Sequence, residues 1–418
     1  MRTLLFIGLL MAGAQIQAAP SVRPARDSLP YFLVLSDIHL DQDLKGPDTD
    51  SSDNTSPLLW DVFKGRIDTL LRSGHSAPAF IVIPGDLPGH AHDTALVHRN
   101  IRTALRDLKQ LGDAHHIPIF FVPGNNDSWD GDYSFFSDSI YADPSLHIHS
   151  PLLNAEDARG KAAIRDLSKW KELGCYTADP LGKPAHFRLI GLNTVMFVRE
   201  KKHPYGRPAG TQEENIFDQL AWLAKQLQTA QEDGAHCLIV MHVPPGADGY
   251  SGNELWSFHS AEMPDATEPF LSLLKKYQDQ IVGLVAGHSH CDGVRLLVDQ
   301  TGKNLITCLI SAPGVTPGHG NNPAFKLIYY RSPGYILDDF VTWYTTPDAS
   351  PGHANWKNFD FRQECHERTP LSIAQLLGRM DPGALRKVVE RIYFAYRPAE
   401  TISSPGKAID QTIEVREK

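Results

Sequence analysis

The chain is poor in cysteine, with five in 418 residues. Cys175, Cys237, Cys291, Cys308 and Cys365 are scattered without a Cys-x-x-Cys pair, which argues against a disulfide-stapled scaffold and against a thiolate zinc site. Excess positive charge is also missing: 40 Lys and Arg against 49 Asp and Glu give a formal net charge of −9, with a pI of about 6.1. Such a balance provides no long-range attraction for nucleic acid or anionic lipid, so no nucleic-acid partner is expected. Beyond the N-terminus no apolar run reaches the ~20 residues that span a bilayer, so no transmembrane segment is expected. Internal repeats and low-complexity tracts are absent as well. What remains is ordinary globular composition, 42% hydrophobic and 21% charged, which leaves no room for disordered, collagenous or coiled-coil architectures. At roughly 150 residues per domain the length suggests two or three packed units.

The first residues follow the layout of a signal peptide covering 1–19. Arg2 precedes an apolar run from Leu4 to Ala12, and small residues end the segment at Ala18 and Ala19. The mature chain is therefore expected to be secreted or periplasmic, where one or two disulfides are permitted.

Short apolar runs alternate with helix-like stretches over the first two-thirds of the chain, which predicts an α/β fold. Strands are expected at Tyr31 to Leu35, Ala79 to Ile83, Ile117 to Val122, Leu238 to Met241 and Ile281 to Val285. Helices are expected at Leu58 to Leu71, Asp93 to Leu111, around Leu220 to Leu227 and near Phe270 to Tyr277. Thr211 and Glu214 have the spacing of a capping box before the third of these helices. Leu305 to Ile310, Phe325 to Tyr330 and Tyr335 to Tyr344 read as antiparallel strands at one side of the sheet. After Thr345 a Pro-bounded linker leads to helices at Leu371 to Met380 and Leu385 to Tyr396, the second started by Asp381-Pro382. The expected organisation is a catalytic unit over 20–345 and a small helical extension over 346–418, loosely ordered from Thr401.

Each of five apolar strands ends in a polar group: Asp37-Ile38-His39, Gly85-Asp86, Gly124-Asn125-Asn126-Asp127, His242, and Gly287-His288-Ser289-His290. A single such residue is ordinarily a backbone cap. Their repetition in order is what matters, because the carboxyl ends of strands border the ligand crevice of α/β sheets. Residues two apart on a strand face one way, which would aim Asp37 and His39 together. Two carboxylates, one amide oxygen and four imidazoles suit borderline or hard divalent ions. Seven donors exceed the need of one ion, whereas two ions sharing a carboxylate would use them all for displacement at phosphorus. The glycines at 85, 124 and 287 are expected to let the backbone turn tightly.

In this order, Asp-x-His, Gly-Asp, Gly-Asn-x-Asp, a strand-ending His and Gly-His-x-His resemble the calcineurin-like metallophosphoesterases, over about Tyr31 to His290. The Gly85 to His90 segment, Gln219 to Leu227, His242 to Gly246, Ser311-Ala312-Pro313 and Asn322 to Phe325 are similar to the acid sphingomyelinase-like phosphodiesterase branch, which carries the likeness to about Tyr344. The resemblance implies a layered β-sandwich flanked by helices. It assigns Asp37, His39 and His290 to one metal and Asn125, His242 and His288 to the other, with Asp86 bridging and a hydroxide between the ions as nucleophile. Zinc is the expected metal, with iron, manganese and cobalt also suited to this donor set.

Where most members of that family have a histidine assisting the leaving group, this chain has Asn126, an amide with no titratable proton. His90 is the candidate replacement, and small-molecule phosphodiesters or monoesters then remain substrates. Alternatively the leaving group is a phosphate that needs little protonation: Gly-Asn-Asn-Asp resembles the endopolyphosphatase branch, which cleaves phosphoanhydrides. A non-catalytic metal-binding protein on the same fold and a sphingomyelin-cleaving enzyme are further alternatives. Asp127 is read as structural. Trp129, Trp256 and Asn253 are loop residues without an assigned role, His92 and His98 are read as surface loop histidines, and the loop Gly318 to Asn322 as a plain turn.

Overall fold

The computed structural model describes residues 25–48, 53–72, 77–91, 93–129, 131–134, 136, 143–155, 162–183, 186–199, 210–397 and 408–417. The expected signal peptide and His92 lie outside them. Strands β1 (Tyr31–Val34), β2 (Ile81–Ile83) and β3 (Ile119–Phe121) are buried at every residue. Their continuous apolar character is that of parallel strands covered on both faces. Helices α1 (Pro57–Arg72) and α2 (Thr94–His115) connect them. There follow β4 (Ala163–Asp166), α3 (Trp170–Leu173), β5 (Tyr176–Asp179), β6 (Phe187–Leu192), α4 (Gln212–Glu232), β7 (His236–Met241), α5 (Thr267–Lys276) and β8 (Ile281–Ala286). The chain continues through β9 (Gly293–Val298), β10 (Leu305–Ser311), β11 (Ala324–Arg331), β12 (Ile336–Tyr344), β13 (Lys357–Asp360), α6 (Phe361–Glu364), α7 (Ile373–Leu377), α8 (Pro382–Ile392) and β14 (Glu414–Arg416).

These strands form two mixed sheets, ordered β13-β12-β11-β1-β2-β3 and β14-β9-β10-β8-β7-β6-β5-β4. The sheets face each other across one continuous core that includes Phe32, Phe120, Phe187, Val240 and Ile310. The outer face of the eight-stranded sheet is covered by α4 and α5 through Ile216, Leu223, Leu227, Phe270 and Leu274. Thr211 caps α4 with the reciprocal Glu214 contact expected of a capping box, and Asp381 caps α8 through the Ala384 amide. The α/β sandwich flanked by helices is therefore as the sequence indicates.

Three expectations change. The strand pairings of β10, β11 and β12 are not those of one sheet side. β10 runs parallel to β8 inside the eight-stranded sheet, whereas β11 crosses over to pair with β1. Turn residues reveal that strands exist but carry no information about which sheet receives them. The residues after Thr345 supply strands as well as the expected helices, with β13 on β12 and β14 on β9, so the loosely ordered reading fails for residues 408–417. Finally, all five cysteines are unpaired. Burial pushes the thiols of Cys175, Cys237, Cys291 and Cys308 up to about 12, so they are inert small hydrophobes.

One ion pair ties the sheets together in the interior. Lys326 Nζ on β11 lies 2.7 Å from Asp292 Oδ1, just ahead of β9, and 3.1 Å from Thr342 Oγ1 on β12. The Thr342 hydroxyl donates to Asp292 Oδ2 at 2.6 Å. All three side chains are fully buried. Breaking such a pair strands a charge in a low-dielectric core. Lys326→Met should therefore lower unfolding stability in urea by roughly 3–5 kcal/mol, and Lys326→Met with Asp292→Leu should recover much of the loss. A loss under about 1 kcal/mol in the single variant would show the pair to be replaceable.

Candidate metal centre

The polar strand endings converge between the two sheets. Asp37, His39, Asp86 and Asn125 come from loops of the six-stranded sheet, and His242, His288 and His290 from loops of the eight-stranded one. Asp37 and His39 lie beyond β1, not on it, so strand alternation is not what aligns them. Their φ values are 50° and 47°, and Asp86, His288 and His290 have 59°, 73° and 56°. Left-handed backbone at non-glycine residues costs on the order of 1–3 kcal/mol each and persists only where neighbours enforce it. Here the β1 and β2 loops enforce it on each other, the Asp37 amide donating to Gly85 O at 3.1 Å and the His39 amide to Asp86 O at 3.0 Å.

The glycines act differently from expectation. Gly85 does turn the chain, at φ 98°. Gly124 and Gly287 instead provide room: a Cβ would lie 2.2 Å from Asp86 Oδ1 at Gly124 and 2.2 Å from Ser36 Oγ at Gly287. Asp127 has the structural role read for it, its carboxylate accepting from the amides of Asp86 and Gly124 at 2.7 Å and of Leu87 at 2.8 Å. It thereby clamps the β2 loop to the β3 loop.

Asp86 occupies the centre. Its Oδ2 lies 3.2 Å from His39 Nε2 and 3.3 Å from His242 Nε2. On one side Asp37, His39, Asp86 and His290 are all buried, with candidate ligand atoms within 4.8 Å of one another. On the other side Asn125 Oδ1 lies 2.9 Å from His242 Nε2 and 3.0 Å from His288 Nδ1. The Asn125 amide nitrogen donates to Asp132 Oδ1 at 2.6 Å. A carboxylate can only accept, so Asp132 turns the Asn125 oxygen toward the histidines. Sequence reasoning missed Asp132, which no local motif marks.

The donor set fits two divalent ions. Asp37 Oδ2 is buried without a hydrogen bond, a cost of about 1–3 kcal/mol that an ion beside it would remove. Burial lowers His39, takes His288 down to about 3 with help from His242, and holds His290 well below its usual range. All three imidazoles are thus in the neutral, ligand-competent form. Burial pushes Asp37 up to about 7. Burial also opposes charge on Asp86 and His242, but their mutual attraction prevails. Asp86 stays well below the carboxylate range and His242 rises to about 9.

The centre opens into a cleft of about 1030 Å³ lined by His39, Asp86, Asn125, Asn126, His288 and His290 among others. Asn126 donates its backbone amide to Asp86 Oδ1 and its side-chain amide to Asp86 Oδ2, both at 2.8 Å. His90 is exposed at the rim, its ring centroid 5.0 Å from that of His39, with its backbone pinned from both sides by Asn54. The Gly318 to Asn322 loop is not a plain turn. It brings His319 to the cleft with its ring 4.7 Å from His290, and only the Gly-His-Gly spelling could have suggested this. Asn253 lines the cleft too. Trp256 does not: it is buried against Phe197 and Phe270 and donates to Val243 O. Trp129 packs on His98, which lies in α2 and not in a loop.

Residues 30–292 match the calcineurin-like phosphoesterase family. The chain belongs to that family. It is accordingly a hydrolase of phosphoric esters, from a family that uses a dinuclear metal centre. Among curated proteins it is 28% identical over 331 residues to cyclic GMP-AMP phosphodiesterase SMPDL3A of Bos taurus, covering 74% of this chain and 67% of that one. It is 26% identical over 298 residues to sphingomyelinase phosphodiesterase C of Dictyostelium discoideum, covering 67% and 61%. To acid sphingomyelinase-like phosphodiesterase 3b of Homo sapiens it is 32% identical over 277 residues, covering 64% and 56%. The matched stretch is thus about two-thirds or less of each relative's length. A solved dimetal phosphatase from Danio rerio aligns at 19% identity with a TM-score of 0.45, covering 79% of this chain and 98% of that one. No described helix is long and apolar enough to cross a membrane.

Ion binding must displace the protons that Asp37 and His242 carry in the metal-free centre. His242 releases its proton only as pH rises toward about 9, and Asp37 toward about 7. Apparent zinc affinity of the metal-stripped protein should therefore rise as pH rises through the neutral range. Calorimetric titrations in buffers of different ionisation enthalpy read the released protons directly, and a pH-independent affinity with no proton release would contradict this assignment.

Proposed function

We propose that the chain is a dinuclear-metal-dependent phosphodiesterase, similar in reaction to acid sphingomyelinase-like enzymes and acting on a small-molecule phosphoester. The observation that carries this reading is the single Asp86 oxygen within 3.3 Å of imidazoles from both half-sites. Asp37, His39 and His290 would hold one ion, Asn125, His242 and His288 the other, and Asp86 both. Zinc is the proposed metal, and the mixed oxygen and nitrogen set also accepts iron, manganese or cobalt. When bound, the ions supply a water-derived nucleophile at neutral pH and neutralise charge gathering on the phosphoryl oxygens.

The protein's own groups do the rest. Asn126 holds both Asp86 oxygens in place, and Asp132 keeps the Asn125 oxygen facing inward. His90, at the rim beside His39, delivers a proton to the departing alkoxide. The same reading takes residues 1–19 as an export signal, 20–345 as the catalytic unit and 346–418 as its extension.

A second reading rests on Asn126. With its amide committed to Asp86 it donates hydrogen bonds and no proton, which suits a phosphate leaving group and hence phosphoanhydrides such as polyphosphate or a nucleotide.

The test is product release by the metal-loaded protein on polyphosphate, ATP, an aryl phosphodiester and detergent-dispersed sphingomyelin. Asp86→Asn should abolish turnover and lower metal content below two ions, because the shared charge holds both. His90→Ala should slow esters with poor leaving groups by about 10²–10⁴-fold and leave the aryl diester little changed. Preference for polyphosphate and ATP, with no effect of His90→Ala, would select the anhydride reading. Full turnover in Asp86→Asn would reject both.

A further inference from the structure

One wall of the cleft is the loop that follows His242, from which Asp248, Tyr250, Ser251, Asn253 and Glu254 face the open space. The loop has glycine at 246, 249 and 252, and each lies where residues near the C-terminus press against it. A Cβ would sit 2.6 Å from Val415 Cγ2 at Gly246, 2.0 Å from Tyr393 Oη at Gly249, and 2.5 Å from Gln411 Oε1 at Gly252. Gly246 and Gly252 also have left-handed φ, but Gly249 does not. Tyr393 is therefore the reason no side chain fits at 249.

Hydrogen bonds fix the same contact. The Ala408 amide donates to Gly249 O at 2.9 Å. From β9, the strand beside β14, the buried Arg295 donates to Pro245 O at 3.1 Å and Ala247 O at 2.9 Å. The turn after α8 holds two more loops of the cleft. Tyr393 O accepts from the Asp292 amide at 2.9 Å and Phe394 O from the Asn322 amide at 3.1 Å. Ala395 O accepts from the Asn322 side chain at 2.9 Å. Tyr250 Oη then donates to His319 O at 2.5 Å, closing one wall onto the other. The loops carrying Asp37, His39, Asp86 and Asn125 are held separately, by Asp127 and by the pairing of the β1 and β2 loops.

We propose that residues 393–397 and 408–415 set the shape of the substrate-facing wall, with Tyr393 a specificity-determining positioning residue that governs which organic group beside the phosphorus is accepted. This rests on the reading of the cleft as a phosphoester site. The wall and the metal centre are separable: a change at the Gly249–Tyr393 contact alters discrimination between ligands and leaves the ions in place.

The test uses the full-length mature protein, zinc-loaded, as wild type, Gly249→Ala, Tyr393→Leu and the double variant. Metal content is measured alongside calorimetric binding of inorganic phosphate and of thymidine 5′-monophosphate, so the readout does not depend on turnover. Gly249→Ala should weaken the nucleotide by about tenfold or more while phosphate stays within about twofold and zinc content is unchanged. Tyr393→Leu removes the atoms that the new Cβ would strike, so the double variant should regain much of the nucleotide affinity, a non-additivity that a general loss of stability would not produce. Equal weakening of both ligands, no weakening of either, or no recovery in the double variant would overturn the proposal. Failure of the wild type to cleave any phosphoester would instead refute the proposed function, and the binding comparison would still decide the wall.

Discussion

The Asp86 carboxylate is the constraint on which the rest of the centre depends. It is buried, charged and reached by two imidazoles, and the Asn126 backbone and side chain each donate to one of its oxygens. Nothing in that arrangement tolerates displacement. Gly124 must lack a side chain because Asp86 Oδ1 occupies the space. Asp127 must take the neighbouring amides so that the loop carrying Asp86 cannot swing away, and burial beside Asp86 in turn pushes Asp127 up to about 7. The left-handed backbone at Asp86 is one result of this packing, and the raised basicity of His242 is another.

Much of this was legible in the sequence because each donor ends an apolar run, and an apolar run followed by Gly-Asp or Gly-His is a local signal. The seven candidate ligands meet where the strand endings predict. The reason they meet was less legible. Period-two alternation suggested how Asp37 and His39 share a direction, whereas both lie past the strand in left-handed conformations imposed by the β2 loop. Gly124 and Gly287 read as turns but are spaces, because a glycine's letter is the same whether it supplies a dihedral angle or an absence of volume.

The parts that escaped notice are contacts that no local sequence pattern marks. Asp132 acts through Asn125, His319 arrives on a loop that reads as a turn, and β14 reads as a loose tail. None has a local pattern, since each is defined by a partner more than a few residues away. Strand β6 gives no clear strand signal in the sequence although all six of its residues are buried. It contains Arg188, fully buried and paired with Asp233 at 2.7 Å, and a charged residue breaks the apolar run by which a strand is recognised. The same limit explains why β10 and β11, neighbours in sequence, read as one sheet yet belong to two.

The division of the donors between the sheets has a mechanical consequence. Each half-site draws on both layers, Asp37 and His39 facing His290, and Asn125 facing His242 and His288. Ångström-scale slippage of one layer over the other would open both half-sites together, so the centre is a seam whose two stitches share a thread in Asp86. The buried Lys326–Asp292 pair crosses the same gap a short distance away and resists the same motion. Rigidity of the sandwich and readiness of the catalytic geometry are therefore one property of this molecule, measured in two places.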